Sequence, residues 1–322
     1  MVRGILESSK NSSNPCLFLA PMVGYSSLPF RALCRQNGAD IVCTEMIHLE
    51  EILKGKIGVG KSQTAPIERP VGVQLLCKLD PVEPVLHVIE QLQETSFDFI
   101  DLNLGCNEPS VTRKGKGAFL LKNPSSLRKP LKDVCSISSK PISVKSRLGW
   151  NFDCSFKLLS IFETVGIAWW SLHARLGQEN YSVPARWERI KELISSSLPI
   201  IGNGDVFNYQ SAITQYQTTG VAGVMIGRAA QGNPFIFSSH VPTKKERLLT
   251  FREFLRIANE YNLLNRGTVF PHLKILRSAF PKRFYYQKLL KVQKLEELLA
   301  YLVKFYPNEF EHVVNFNTLA KI

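Results

Sequence analysis

Several absences in this sequence narrow the reading before any motif is considered. No apolar run of the 322-residue chain approaches the roughly 20 residues that span a bilayer, so no membrane partner is expected. The stretch 1–15 is polar and rich in Ser and Asn, without an apolar h-region. It reads as a polar leader and not as a signal peptide. The seven cysteines are odd in number and contain no C-x-x-C pair. That argues against both a disulfide framework and a zinc site, so no metal is expected and the setting reads as cytoplasmic and reduced. Acidic residues are scarce, 27 against 40 Lys and Arg, which leaves a net charge of +13. The first apolar run is not followed by a glycine-rich phosphate fingerprint, as an open dinucleotide-binding sheet would more often show.

The positive charge is uneven. Residues 241–322 carry 15 Lys or Arg against 7 Asp or Glu, a net of +8 out of +13. A basic surface of this kind points to a polyanion, most often nucleic acid.

Short apolar runs recur every 25–40 residues or so, each ending in polar residues or glycine. They are Leu17–Met22, Asp40–Met46, Val71–Leu76, Phe97–Leu104, Pro141–Leu148, Ala168–Ala174, Pro199–Gly202 and Ala222–Ile226. Helix-like segments lie between most of them: Pro81–Thr95, Ser125–Ser138, Phe156–Gly166, Trp187–Ser197 and Tyr209–Gly220. Eight buried strands alternating with helices predict an α/β fold, a (β/α)8 TIM barrel, over residues 16–240. From Val241 the strand-like runs fade. Lys244–Leu264, Pro271–Ser278, Phe284–Lys291 and Leu295–Phe305 read as amphipathic helices, giving a small C-terminal helical domain over 241–322. There, Phe284, Tyr285 and Tyr286 lie among Lys282, Arg283 and Lys288. Aromatics beside cations suit RNA, but a core with a solvated face reads the same way.

In such a barrel, chemistry sits at the C-terminal ends of the strands. Those ends read Pro21-Met22, Glu45, Gln74, Asn103 with Cys106, Lys145 with Arg147, His173 with Arg175, Asn203 with Asp205, and Gly227-Arg228. Amides, a lysine and an arginine suit the edge of a heteroaromatic ring and a phosphate. Gly202-Asn203-Gly204-Asp205 and Gly227-Arg228 follow the seventh and eighth runs, where this fold usually binds phosphate. Cys106 ends the fourth run, with Lys114 and Lys116 in the loop beyond it. A lone Cys is more often a small buried hydrophobe, whereas cations beside it would favour chemistry.

These blocks resemble the tRNA-dihydrouridine synthases, flavin enzymes that reduce selected uridines in tRNA. The resemblance runs from about Leu17 to Phe237. It rests on Leu19-Ala20-Pro21-Met22, Thr44-Glu45-Met46, Val73-Gln74-Leu75, Asp101-Leu102-Asn103-Leu104-Gly105-Cys106, Val144-Lys145-Ser146-Arg147-Leu148-Gly149, His173-Ala174-Arg175, Gly202-Asn203-Gly204-Asp205 and Ile226-Gly227-Arg228. It implies tightly bound FMN, NADPH or NADH as reductant, and tRNA gripped by the C-terminal helices. Cys106 would be the proton donor. Pro21, Met22 and Val23 would back the flavin, and Gln74 and Lys145 would meet its pyrimidine edge. His173, Asn203, Gly204, Asp205, Gly227 and Arg228 would hold its ribityl chain and phosphate. Asn103, Arg147, Arg175 and Lys114 would face the substrate. No oligomer is implied, and a monomer is expected. One departure stands out: Asn107 occupies the position after the cysteine, where the family commonly has proline. The residues leave open two other readings, an FMN barrel reducing a small molecule and a catalytically degenerate RNA-binding protein.

Overall fold

The computed structural model describes residues 2–10, 12 and 14–310. Its centre is an eight-stranded parallel sheet: β1 (Cys16–Leu19), β2 (Val42–His48), β3 (Val71–Leu76), β4 (Phe99–Leu104), β5 (Ile142–Arg147), β6 (Trp169–His173), β7 (Ile200–Asn203) and β8 (Gly223–Ile226). Each strand from β2 onward pairs with its neighbour in sequence, and β8 pairs with β1. A parallel bridge between Phe18 and Ile41 closes the ring beside β2. The eight predicted runs each overlap one strand, because strands buried on both faces read as continuous apolar segments.

Alternation along the strands builds the interior. Phe18, Cys43, Phe99, Trp169, Ile201 and Met225 meet in one apolar cluster inside the barrel. Gly72 on β3 makes room there: a Cβ at this position would lie 2.1 Å from the Phe99 ring. Two residues further along, the inward positions turn polar: Gln74, Asp101, Ser143 and Ser171 are buried. The alternate residues, among them Leu17, Val73, Leu102, Val144, Leu172 and Val224, join the larger cluster under the surrounding helices. The barrel therefore has an apolar base and, towards the C-terminal ends of the strands, a polar upper layer.

Three helices depart from the sequence reading. Within the stretch read as a polar leader, Val2–Lys10 forms a helix, and its Val2 and Leu6 join the apolar base beside Phe18 and Trp169. The spacing of those two residues, one helical turn apart, puts both on one face. Leu28–Gln36, between β1 and β2, is also helical. The predicted helix Trp187–Ser197 is shorter, Trp187–Lys191.

Beyond β8 the chain is helical. Lys244–Glu260 starts at a capping box in which Thr243 accepts from the Glu246 N–H and Glu246 accepts from the Thr243 N–H. Its Phe251, Phe254 and Leu255 belong to the same large cluster as the barrel's outer residues. His272 is fully buried and stacks on Phe30 of the helix before β2, with ring centroids 4.4 Å apart. Burial pulls the imidazole of His272 down to about 3. The basic segment thus shares its apolar contacts with the barrel. In the 284–286 group, Tyr286 is buried, whereas Phe284 is exposed with the Lys288 ammonium 4.5 Å from its ring centroid. Residues 311–322 of the expected helical domain lie outside the described residues.

Candidate active site

A cavity of about 350 Å³ opens at the barrel mouth. Pro21 and Met22 line it after β1, Lys145 on β5, His173 at the end of β6, Asn203, Gly204 and Asp205 at and after the end of β7, and Gly227 and Arg228 after β8. Nine of the predicted residues therefore converge on one space. Ala20 and Met225 add apolar surface, and Tyr181 and Phe207, both largely exposed, stand at the rim. The sequence reading missed these two aromatics, since they sit in loops outside any strand-end motif.

The polar side of the cavity is pre-set by hydrogen bonds. Lys145 Nζ donates to Asn203 Oδ1 at 3.1 Å, and Asn203 Nδ2 donates to the Met225 carbonyl at 2.8 Å. Burial pulls the Lys145 ammonium down to about 8, with the nearby Asp101 charge opposing that fall. His173 is held neutral, first by burial and then by the charges of Lys145, Arg147, Arg175 and Arg228. Its Nε2 lies 2.9 Å from Arg175 Nη1. Arginine can only donate, so Nε2 accepts and the imidazole proton sits on Nδ1.

Asp205 adopts a left-handed backbone, φ 48°. Its carboxylate receives Arg175 Nη2 at 2.6 Å, the Ala185 N–H at 2.8 Å and Arg228 Nη2 at 3.2 Å. Burial works to raise this carboxyl, but the bonds from Arg175 and Ala185 and the two arginine charges outweigh it and hold it below its usual value. Arg228 lies between Asp205 and the Tyr181 ring, with its guanidinium 3.7 Å from the ring centroid. The Asp205 side chain is thus turned to arginines. Arg228 and the backbone around Gly204 and Gly227 line the cavity on this side, where an anion would meet them.

Cys106 lies beside this cavity and not in its lining. A polar chain runs to it from inside the barrel. Ser143 Oγ and Gln74 Nε2 donate to Asp101 at 2.6 and 2.7 Å, and Asn103 Nδ2 donates to Gln74 Oε1 at 2.8 Å. Asn103 Oδ1 then receives the N–H groups of Gly105 and Cys106 at 3.1 and 2.9 Å. On the other side, the Cys106 carbonyl accepts the Ala118 N–H at 2.8 Å. Gly117 permits that closure: its φ is +61°, and a Cβ there would come within 2.4 Å of the Cys106 carbonyl oxygen. Burial pushes the Cys106 thiol up despite Arg147 and Lys145 nearby, so the sulfur keeps its proton at neutral pH.

Several expected roles shift on this geometry. Lys116 is buried against Glu50, with 2.6 Å between Nζ and Oε1, and Lys114 is exposed, so the cations that face the thiol are Arg147 and Lys145. Arg147 donates to the carbonyls of Gly105, Leu176 and Glu179. Arg175 is fully buried and donates to Asp205, His173 and the Val183 carbonyl. Both arginines brace loops with donors that a substrate would need. Gln74 and Asn103 lie outside the cavity lining and support the Cys106 loop, and Val23 is exposed and likewise outside the lining. Among the described residues, no group of three or more His, Cys, Asp or Glu is placed to hold a metal ion. No described helix is long and apolar enough to cross a membrane.

A sequence model described as dihydrouridine synthase matches residues 18–307. The chain belongs to the dihydrouridine synthase family. It is 32% identical over 255 residues to a probable tRNA-dihydrouridine synthase of Aquifex aeolicus, an alignment covering 76% of this chain and 80% of that protein. It is 34% identical over 232 residues to a tRNA-dihydrouridine(47) synthase-like protein of Xenopus laevis, covering 69% of this chain and only 35% of that one. In fold it is similar to histamine dehydrogenase from Rhizobium sp. 4-9, with a TM-score of 0.54 and 10% identity over 74% of this chain and 48% of that chain. The family match takes in every strand-end motif, and it extends past β8 through the helices up to Pro307. The basic helices of this family member therefore lie within the matched region.

Proposed function

We propose that this chain forms dihydrouridine in tRNA, reducing the C5–C6 bond of selected uridines with FMN in the mouth cavity and NADPH or NADH as reductant. The observation that carries the reading is the Cys106 thiol, just past the end of β4 and held there by Asn103, beside a cavity with one apolar and one cationic side. The cavity residues fit FMN. Ala20, Pro21, Met22 and Met225 offer an apolar surface to a flat ring, Lys145 and the His173 Nδ1–H offer donors to a polar edge, and Arg228 with the glycine backbone suits a phosphate. When bound and reduced, FMN supplies the hydride that uridine accepts at C6. Cys106 holds the proton that C5 then requires, and its raised pKa keeps that proton in place. Asn103 keeps the thiol loop in register, and Lys145 holds positive charge next to the developing negative charge. The uridine must leave the RNA stack to reach this site, at a cost of a few kcal/mol.

The tRNA contact is assigned to 241–310. Between Tyr261 and Leu295 the sequence has no acidic residue, and Lys274, Arg277, Lys282, Arg283, Lys288 and Lys291 are all exposed. Because these helices share the barrel's core, single side chains test the assignment better than truncation. A Lys282→Ala/Arg283→Ala/Lys288→Ala variant is expected to keep its fold and flavin. Its tRNA affinity should be weaker, with a log–log salt slope shallower by about 0.7–0.9 for each phosphate that is no longer neutralised. Filter binding from low to high salt measures this, and an unchanged slope would place the tRNA elsewhere.

The cationic side of the cavity makes a second expectation. The Lys145 ammonium titrates at about 8 in the folded chain and at 10.5 when unperturbed. Between those values the unfolded chain holds more protons, so this group makes stability rise with pH across that window, and its buried charge costs stability below it. Ligand affinity runs the opposite way. An anionic ligand prefers the charged lysine, so FMN affinity of the apo-protein should fall as pH rises through about 8, approaching tenfold per unit. Fluorescence titrations from pH 7 to 9 should show this limb, and Lys145→Met should remove it.

The direct test of function is to incubate the purified protein with FMN, NADPH and unmodified tRNA and to measure dihydrouridine by nucleoside mass spectrometry. Reduction of a free pyrimidine in place of tRNA would favour a small-molecule reductase.

A further inference from the structure

Asn107, the residue in the position where proline is common, makes a specific tie. Its Nδ2 donates to the Gly177 carbonyl at 3.0 Å and to the Glu179 carbonyl at 3.4 Å. These carbonyls belong to the loop after β6. That loop carries Tyr181, whose ring stacks on His173 at 6.1 Å between centroids and lies 3.7 Å from the Arg228 guanidinium. Tyr181 also lines the cavity, whereas Cys106 does not. Hydrogen bonds thus join the loop that carries the thiol to the loop that carries Tyr181. Arg147 spans the same gap lower down, from the Gly105 carbonyl to those of Leu176 and Glu179. The receiving loop is itself firm. The Glu179 carboxylate accepts the Leu176 N–H at 2.6 Å and Arg186 Nη2 at 2.7 Å, and the Gly177 N–H donates to the Gly149 carbonyl. A proline at 107 could not make this tie, since it has no side-chain donor.

We propose that Asn107 is a positioning residue: its side-chain amide ties the Cys106 loop to the Tyr181 loop and so holds the thiol in register with the cavity. The proposal rests on Cys106 being the proton donor of the reading above. It assigns Asn107 no contact with substrate. Loss of the amide should free the thiol loop on its outer side and leave the Tyr181 side of the cavity in place, still held by Arg147 and Glu179.

The test uses the FMN-loaded full chain with Asn107→Ala and the near-isosteric Asn107→Asp, which removes the donor and keeps the shape. Three quantities are read: alkylation of Cys106 by iodoacetamide, reduction of the flavin by NADPH, and anaerobic reoxidation of the reduced flavin by unmodified tRNA. Peptide mass spectrometry follows Cys106 separately, with the half-buried Cys135 as internal reference. In both variants, alkylation of Cys106 should rise and tRNA-dependent reoxidation should fall, each roughly tenfold, the worth of about one hydrogen bond. NADPH reduction and Cys135 alkylation should stay near wild type, which a general loss of structure would not allow. Unchanged Cys106 alkylation overturns the proposal, whether or not reoxidation falls, because a fall alone would mean direct contact with tRNA. Faster alkylation with wild-type reoxidation also overturns it. Should wild-type protein fail to be reoxidised by tRNA, the functional reading fails and the alkylation rates alone decide whether the tie exists.

Discussion

Cys106→Ala should abolish most turnover while leaving both ligands bound. General acid catalysis contributes typically about 10²–10⁴-fold, and turnover on tRNA should fall by that much. The cavity residues do not include Cys106, so FMN affinity should be unchanged. Reduction by NADPH should persist, since it calls on no proton from the thiol. The step lost is transfer to tRNA, where charge arriving at C5 finds no proton within reach. Cys106→Ser should recover little, because a hydroxyl is a far weaker acid than a thiol. The measurement is anaerobic reoxidation of the reduced flavin on mixing with unmodified tRNA. Wild-type-like reoxidation by Cys106→Ala would leave the thiol as a small buried group at the end of β4. The structure sharpens this expectation. Cations beside a thiol would favour the thiolate, and Arg147 and Lys145 do act in that direction, but burial outweighs them and keeps the acid form.

The second large effect lies below the site. Arg31 and Glu68 form a fully buried ion pair, with Nε 2.5 Å from Oε2 and Nη2 2.9 Å from Oε1. Arg31 also donates to the Ser26 and Gln63 carbonyls at 2.7 Å each. Ser26 Oγ in turn accepts the Met22 N–H and donates to the Ala20 carbonyl, both at 2.9 Å, so the pair supports the Pro21-Met22 side of the cavity. Glu68→Ala leaves the guanidinium buried without a counter-charge, which costs about 3–5 kcal/mol. Thermal unfolding should move down by roughly 10 °C. FMN affinity should fall as well, as the Met22 turn loosens. Replacing both partners, Arg31→Met with Glu68→Leu, should recover much of the stability, because it removes the buried charges along with their attraction. A Glu68→Ala midpoint within about 2 °C of wild type would mean that the carbonyls alone suffice for Arg31.

The strands were legible because the barrel buries both faces of each one. Val71–Leu76 reads as an apolar run broken only by Gln74, and it is β3 with the same bounds. The strand-end motifs were legible for a related reason: the fold brings all eight C-terminal ends to one mouth, so the order of motifs along the chain becomes an order around the cavity.

Other features depend on where long side chains end up. Lys114 and Lys116 are near Cys106 in sequence, yet one points to solvent and the other to Glu50, while Lys145 on the next strand and Arg147 at its end reach the thiol's surroundings. Arg147 and Arg175 looked like substrate cations and serve as loop braces, because carbonyls and a carboxylate brought in by the loops after β6 and β7 take up their donors. Tyr181 and Phe207 reach the cavity from loops whose course no periodicity encodes. Sequence alone determined the barrel and which residues end its strands, since burial imposes a residue pattern along each strand. Only the tertiary structure decided which charges meet and which way the Cys106 proton is held, because a flexible polar side chain takes its partner from whatever the loops bring within about 3 Å, a hydrogen bond's length.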